Sequence, residues 1–129
     1  MNIKLIPIKE LKPHEKIRPA HSRYLEEKIK RDGIFTHPII IDRATFTILD
    51  GHHRVTALKR LGIKKIPALL IDYFDPRVKV SLRHKRLPAE VIKRAVLAAA
   101  AGFICPIKTT RHYLTTKIPH TKIAVEDLA

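Results

Sequence analysis

The sequence predicts an α+β fold in one small domain, and three observations predict it. Apolar runs of strand length recur at residues 3–8, 38–41, 46–49 and 66–71. They are interleaved with segments of helical spacing at about 22–31, 52–61 and 91–101, so both element types must share one set of layers. The length, 129 residues with 45% apolar side chains, supports one hydrophobic core rather than two. No internal repeat or low-complexity segment breaks the pattern.

The elements follow from local chemistry. Ile3, Leu5 and Ile6-Pro7-Ile8 predict a first strand, with Pro7 confining it to a sheet edge. Residues 11–15 read as an irregular loop. Ser22 or His21 is suited to cap a helix reaching about Arg31, with Leu25 and Ile29 on its inner face and Asp32-Gly33 ending it. Residues 38–41 predict a buried strand, 42–45 a hairpin-like turn and 46–49 an antiparallel return. After a tight turn at Gly51, residues 52–61 predict a helix with Val55, Leu58 and Leu61 on one face and Gly62 at its end. The continuous apolar run 66–71 predicts an interior strand. Val78, Val80 and Leu82 alternate with polar residues as in a half-buried strand. Pro88 opens a helix over 91–101 that has few polar residues, so most of its circumference is expected to be covered. Gly102 ends it, residues 103–110 read as a loop, Ile118-Pro119 breaks regularity, and 122–125 read as a last strand.

Charge narrows the partners. Twenty-six Lys and Arg against twelve Asp and Glu give a net charge of +14, which favours nucleotides, nucleic acid or phosphorylated metabolites. A Lys/Arg-rich surface of thermophile type accounts for the same excess. The single cysteine, Cys105, excludes an intrachain disulfide and a Cys-based zinc site, and is compatible with a reducing cytosol. The first residues lack the apolar region of a signal peptide, and residues 91–104 are too short and too interrupted by Lys93, Arg94 and Gly102 to cross a bilayer. A soluble cytoplasmic protein without a membrane partner is expected.

The stretch from Ile48 to Leu58 carries the strongest chemical signal. A strand feeding a glycine turn and then a helix leaves unpaired first-turn N–H groups at the positive end of the helix dipole, which is an anion site. His52, His53 and Arg54 sit there as further donors to phosphate oxygens. Asp50 precedes them and is suited to hold a metal ion, accept a proton or cap the helix. A second cluster, Lys108-Thr109-Thr110-Arg111-His112, offers the cations and hydroxyls that a phosphate requires, although it matches no P-loop pattern. Glu15, after His14, is a candidate general base. Nucleic acid is a second choice of partner. Lys28, Lys30 and Arg31 and the basic run 83–86 suit backbone phosphates, but aromatics are only 5% and Trp is absent. A metal site on His52, His53 and His112 is weakened because adjacent histidines at a helix start diverge.

These residues carry a resemblance. Leu11-Lys12-Pro13, Pro38-Ile39-Ile40 and Asp50-Gly51-His52-His53-Arg54 leading into Ala57-Leu58 resemble the ParB/sulfiredoxin superfamily over about residues 6–73. The resemblance implies a mixed sheet with flanking helices, a core at about 3–73 and an extension at about 74–129. Sulfiredoxins carry a cysteine where this chain has His52, so that activity is not expected. Partition proteins carry a helix-turn-helix and a Glu-Asn-x-x-Arg segment that are not evident here. The free-serine kinase branch is similar in Pro13-His14-Glu15, in the Asp50 to Arg54 segment and in Lys108 to His112, in that order. That likeness implies an ADP- or ATP-dependent transfer of phosphate to free L-serine or a similar small alcohol. It implies Glu15 as the base and Asp50 as a catalytic support or Mg2+ holder. Gly51, His52, His53 and Arg54 would cradle nucleotide phosphates, and Lys108, Thr109, Thr110, Arg111 and His112 would hold the transferring or product phosphate. The alternative is a ParB-like nucleotide-binding module that binds DNA or a protein partner without transfer.

Overall fold

The computed structural model describes residues 2–14, 17–82, 88–102, 110–114, 118 and 122–129. The main sheet consists of β1 (Asn2–Pro7), β3 (Ile39–Asp42), β4 (Ile48–Asp50) and β5 (Lys65–Ile71), in the order β1-β5-β3-β4. It is mixed: β1 runs antiparallel to β5, β5 parallel to β3, and β3 antiparallel to β4. The edge position expected for the Pro7 strand and the interior position of the 66–71 strand are both found. Pro67 is tolerated inside β5 because pairing with β3 begins only at Ala68.

Two helices flank one face. Helix α1 (Pro19–Asp32) packs on α2 (His52–Arg60), and an Arg60–Glu26 ion pair of 3.2 Å joins them. Helix α1 starts three residues before the expected Ser22. Pro19 takes the first helical position and Arg18 the cap, while the Ser22 hydroxyl donates to the Pro19 carbonyl. Helix α2 stops as expected. Gly62 adopts φ +76 and donates to the Lys59 carbonyl, while Ile63 donates to that of Leu58, the paired bonds of a Schellman motif.

The apolar side chains divide between the two faces of the sheet. On the helix side, Ile39, Ile41, Ile48, Leu58 and Ile66 are buried, with Ile29 of α1 and Leu128. On the other side, Ile40, Leu49 and Leu69 meet Tyr73, Val78, Ile92 and Val96. This second cluster is covered by β6 (Val78–Leu82), by α3 (Ala89–Ala100) and by β7 (Thr110–Leu114), which pairs antiparallel with β6. Most of the circumference of α3 is covered as expected: Ile92, Lys93 and Val96 are buried and residues 95 and 97–100 half-buried, while Val91 and Arg94 are exposed. Strand β7 begins where a loop was expected to end. Short strands β2 (Ile34–Phe35) and β8 (Ile123–Ala124) pair with each other, the second lying within the expected last strand. Among the described residues, no helix is long and apolar enough to cross a membrane.

The hairpin between β3 and β4 is fixed by a buried carboxylate. Asp42, only 4% exposed, accepts the N–H and hydroxyl of Thr45 on Oδ2 (3.1 and 2.7 Å) and the N–H of Tyr73 on Oδ1 (3.2 Å). These bonds hold Phe46 at a positive φ of 60.

Candidate functional site

The site is built where β4 ends and α2 begins. Gly51, the α2 cap, has φ +114, a conformation that L side chains rarely adopt, and an added Cβ would press on the Ile39 side chain. A glycine is therefore required for the sheet to feed the helix this abruptly. Residues 12–14 run alongside. Lys12 donates to the Phe46 carbonyl at 3.0 Å and accepts from Ile48 at 2.9 Å, which pins this loop beside β4.

The next three side chains are all engaged with neighbouring backbone. His52 is 5% exposed, and its Nε2 accepts the N–H of His14 at 3.2 Å. His53 Nε2 accepts the N–H of Arg18 at 2.9 Å, tying α2 to the cap of α1. Arg54 donates to the carbonyls of His37 and Pro38 at 2.7 and 2.9 Å and to Asp50 Oδ2 at 3.0 Å. Each Nε2 acts as an acceptor inside the protein, so a bond from either imidazole to an anion has to come from Nδ1, alongside the first-turn backbone N–H groups. The two rings do diverge, toward different segments. Asp50 makes no capping bond; its carboxylate is 49% exposed and paired with Arg54.

Three histidines from distant segments meet here. The ring centroids of His14 and His52 are 4.7 Å apart and those of His14 and His112 5.7 Å, both edge to face. His112 is brought in by β7, which packs against β4, and its Nε2 lies 2.6 Å from the Tyr73 hydroxyl. Burial pushes His14 down to about 4. Burial, reinforced by the neighbouring rings, pushes His52 and His112 down to about 3. All three rings are therefore neutral near pH 7. His14 Nε2 and His112 Nδ1 are buried with no hydrogen-bond partner among the described residues.

Glu15, Lys108 and Thr109 lie outside the described residues. Thr110 and Arg111 are described as backbone only, paired with Leu82 and Ser81. Sequence reasoning missed Asp42 and Tyr73 entirely. Neither sits in a motif, and only the fold brings Tyr73 to His112.

Among the described residues, no group of three or more His, Cys, Asp or Glu side chains could hold a metal ion. A cleft of about 130 Å³ opens beside the site, lined in part by Leu11, Pro13, His52, Thr56 and Lys59. That admits part of a ligand rather than a whole nucleotide. A groove of about 630 Å³ lies elsewhere, between α3 and β6, near Phe74, Lys79, Lys93 and Arg94. Its size does not make it the site, because the glycine turn, the helix start and the histidine cluster are all at α2.

Residues 1–83 match the ParB N-terminal domain. This chain belongs to that family. An ATP-dependent L-serine kinase of Staphylothermus marinus is 45% identical over 80 residues, which are 59% of this chain and 32% of that protein. An ADP-dependent L-serine kinase of Thermococcus kodakarensis is 34% identical over 79 residues, 58% of this chain and 33% of that protein. The chain thus spans about a third of the length of these curated relatives. A solved free serine kinase in complex with AMP superposes with a TM-score of 0.79 at 17% identity, covering 99% of this chain and 94% of that one. At that identity the likeness shows the fold alone, and the ParB-like α+β fold is that of the family.

Proposed function

We propose that this protein transfers a phosphoryl group from ADP or ATP to the hydroxyl of free L-serine or a similar small alcohol, in the cytoplasm. The observation that carries the reading is the meeting of His14, His52 and His112, one ring from each of the three segments that resemble the serine kinases. The names of the relatives that share 34–45% of their matched residues with this chain support the same chemistry.

In this reading the nucleotide phosphates rest on the start of α2, at Gly51, His52, His53 and Arg54, chiefly through backbone N–H groups. Glu15 takes the proton of the substrate hydroxyl. The hydroxyl oxygen forms its bond to the terminal phosphorus as the bond from that phosphorus to the nucleotide oxygen breaks, releasing AMP from ADP or ADP from ATP. Lys108, Thr109, Thr110, Arg111 and His112 hold the phosphate in transit. Such transfer depends on positioning and charge neutralisation more than on covalent help from the protein. The half-exposed Asp50 carboxylate suits Mg2+, which binds through one or two carboxylates together with substrate phosphates. When bound there, Mg2+ would neutralise phosphate charge.

The test is incubation with Mg2+, ADP or ATP and L-serine. O-phospho-L-serine is expected, and no product with either nucleotide across a panel of small alcohols overturns the reading. In active protein, Glu15→Gln abolishes turnover with nucleotide binding retained; unchanged turnover removes Glu15 from the mechanism. One observation favours a second reading, a ParB-like module that binds nucleotide and DNA or a protein without transfer: residues 1–83 match the ParB N-terminal domain. Nucleotide binding without product, with a duplex-DNA gel shift beyond that of a generic polycation, would favour it.

A further inference from the structure

We infer that Tyr73 is a positioning residue that fixes His112 in the tautomer carrying its proton on Nδ1, so that His112 offers an N–H donor rather than a lone pair at that nitrogen. Tyr73 belongs to none of the segments that resemble the kinases, yet it is fully buried and held from several sides. Its N–H donates to Asp42 Oδ1 at 3.2 Å. The Lys93 ammonium lies 5.4 Å from its ring centroid, and that lysine also donates to the Asp75 carbonyl at 3.4 Å. Its hydroxyl lies 2.6 Å from His112 Nε2.

Two proton arrangements fit that distance. Either the hydroxyl donates to a bare Nε2, or an Nε2–H donates to the hydroxyl oxygen. Burial, with the Asp42 carboxylate nearby, raises Tyr73 well above the ordinary phenol range, so its hydroxyl keeps its proton. Among the described residues that proton has no acceptor other than His112 Nε2. The second arrangement would leave it buried and unmatched, which a buried hydroxyl avoids. The first satisfies it and requires the neutral ring to be protonated on Nδ1. That nitrogen is the one without a partner among the described residues, and the nearby Leu49 backbone favours a proton on the ring. His14 Nε2, in the adjoining ring, is likewise buried and unpartnered.

The consequence is chemical. An N–H on that nitrogen stabilises an oxygen that gains negative charge nearby, whereas a lone pair at the same place repels it. Tyr73 thereby sets the sign of the interaction that His112 makes, without touching the reacting atoms. The kinetic consequence rests on the proposed phosphotransferase activity; the tautomer does not.

The test uses the full chain labelled with 15N-histidine and long-range 1H–15N correlation spectra, which distinguish the two neutral tautomers. The wild-type protein is expected to show His112 as the Nδ1–H form from pH 6 to 8, and Tyr73→Phe is expected to shift it toward the Nε2–H form. An Nε2–H ring in the wild type, or an unchanged tautomer in Tyr73→Phe, overturns the inference. If the variant does not fold, the wild-type spectrum decides alone. In active protein, Tyr73→Phe should lower kcat about tenfold, the loss of one oriented donor, with the nucleotide KM within about twofold; an unchanged kcat overturns the positioning role. A wild type that makes no product overturns the kinase reading and leaves the spectrum to decide Tyr73.

Discussion

The two regions that supply the histidine cluster are held in opposite ways. At the start of α2, four consecutive residues are each committed: Gly51 against Ile39, His52 to His14, His53 to Arg18, and Arg54 to His37, Pro38 and Asp50. On the other side, β7 is held by its antiparallel pairing with β6 and its packing on β4, with one side-chain hydrogen bond among the described residues, Tyr73 to His112. The first region is over-determined and suits a fixed anion cradle. The second is held by backbone pairing, with one side-chain bond fixing the ring it presents.

Substitution at the rigid side should have the largest effect. Gly51→Ala adds a Cβ against Ile39 in a left-handed backbone, and should cost about 3 kcal/mol or more in chemical denaturation. A loss below about 1 kcal/mol would break the contrast between the regions. The cluster that bridges them should come next, through pH. The folded rings titrate at about 3 to 4, below the ordinary value of 6.5, so the unfolded chain takes up protons first. Stability should therefore be full above about pH 6.5 and fall as the pH drops toward about 4, by a few kcal/mol in all. Denaturation midpoints that stay flat over this window would show that the rings are not buried neutral. Arg54→Lys keeps the charge but loses the planar fork that reaches two carbonyls and a carboxylate, and should cost about 2 kcal/mol. Far from both regions, Arg94→Ala removes an exposed ion pair with Glu90 and should change stability by at most about 0.5 kcal/mol.

Much of this arrangement was legible in the sequence because its signals are local. Pro7 marked the edge strand, the run 66–71 the interior one, and Gly51 and Gly62 the bounds of α2. The strand at Thr110–Leu114 was not legible, because its partner Val78–Leu82 is about thirty residues earlier and the stretch itself is polar. The start of α1 was misplaced because Ser22 has a capping side chain but spends its hydroxyl on Pro19. At the site, the glycine turn and helix start were readable as a contiguous motif. The direction of the imidazole hydrogen bonds was not, since a histidine can donate or accept and only its surroundings decide. Asp42 and Tyr73 escaped notice because their partners are 31 and 39 residues away.

In the proposed reaction a nucleotide's phosphates rest where α2 begins and His112 lies beside the phosphate in transit. The most direct measurement is a 1H–15N amide titration of the full chain with ADP and Mg2+. Saturable shifts of the His52, His53 and Arg54 amides together with His112 are expected. Shifts confined to the groove between α3 and β6, or no shifts at these residues at saturating nucleotide, would contradict that placement.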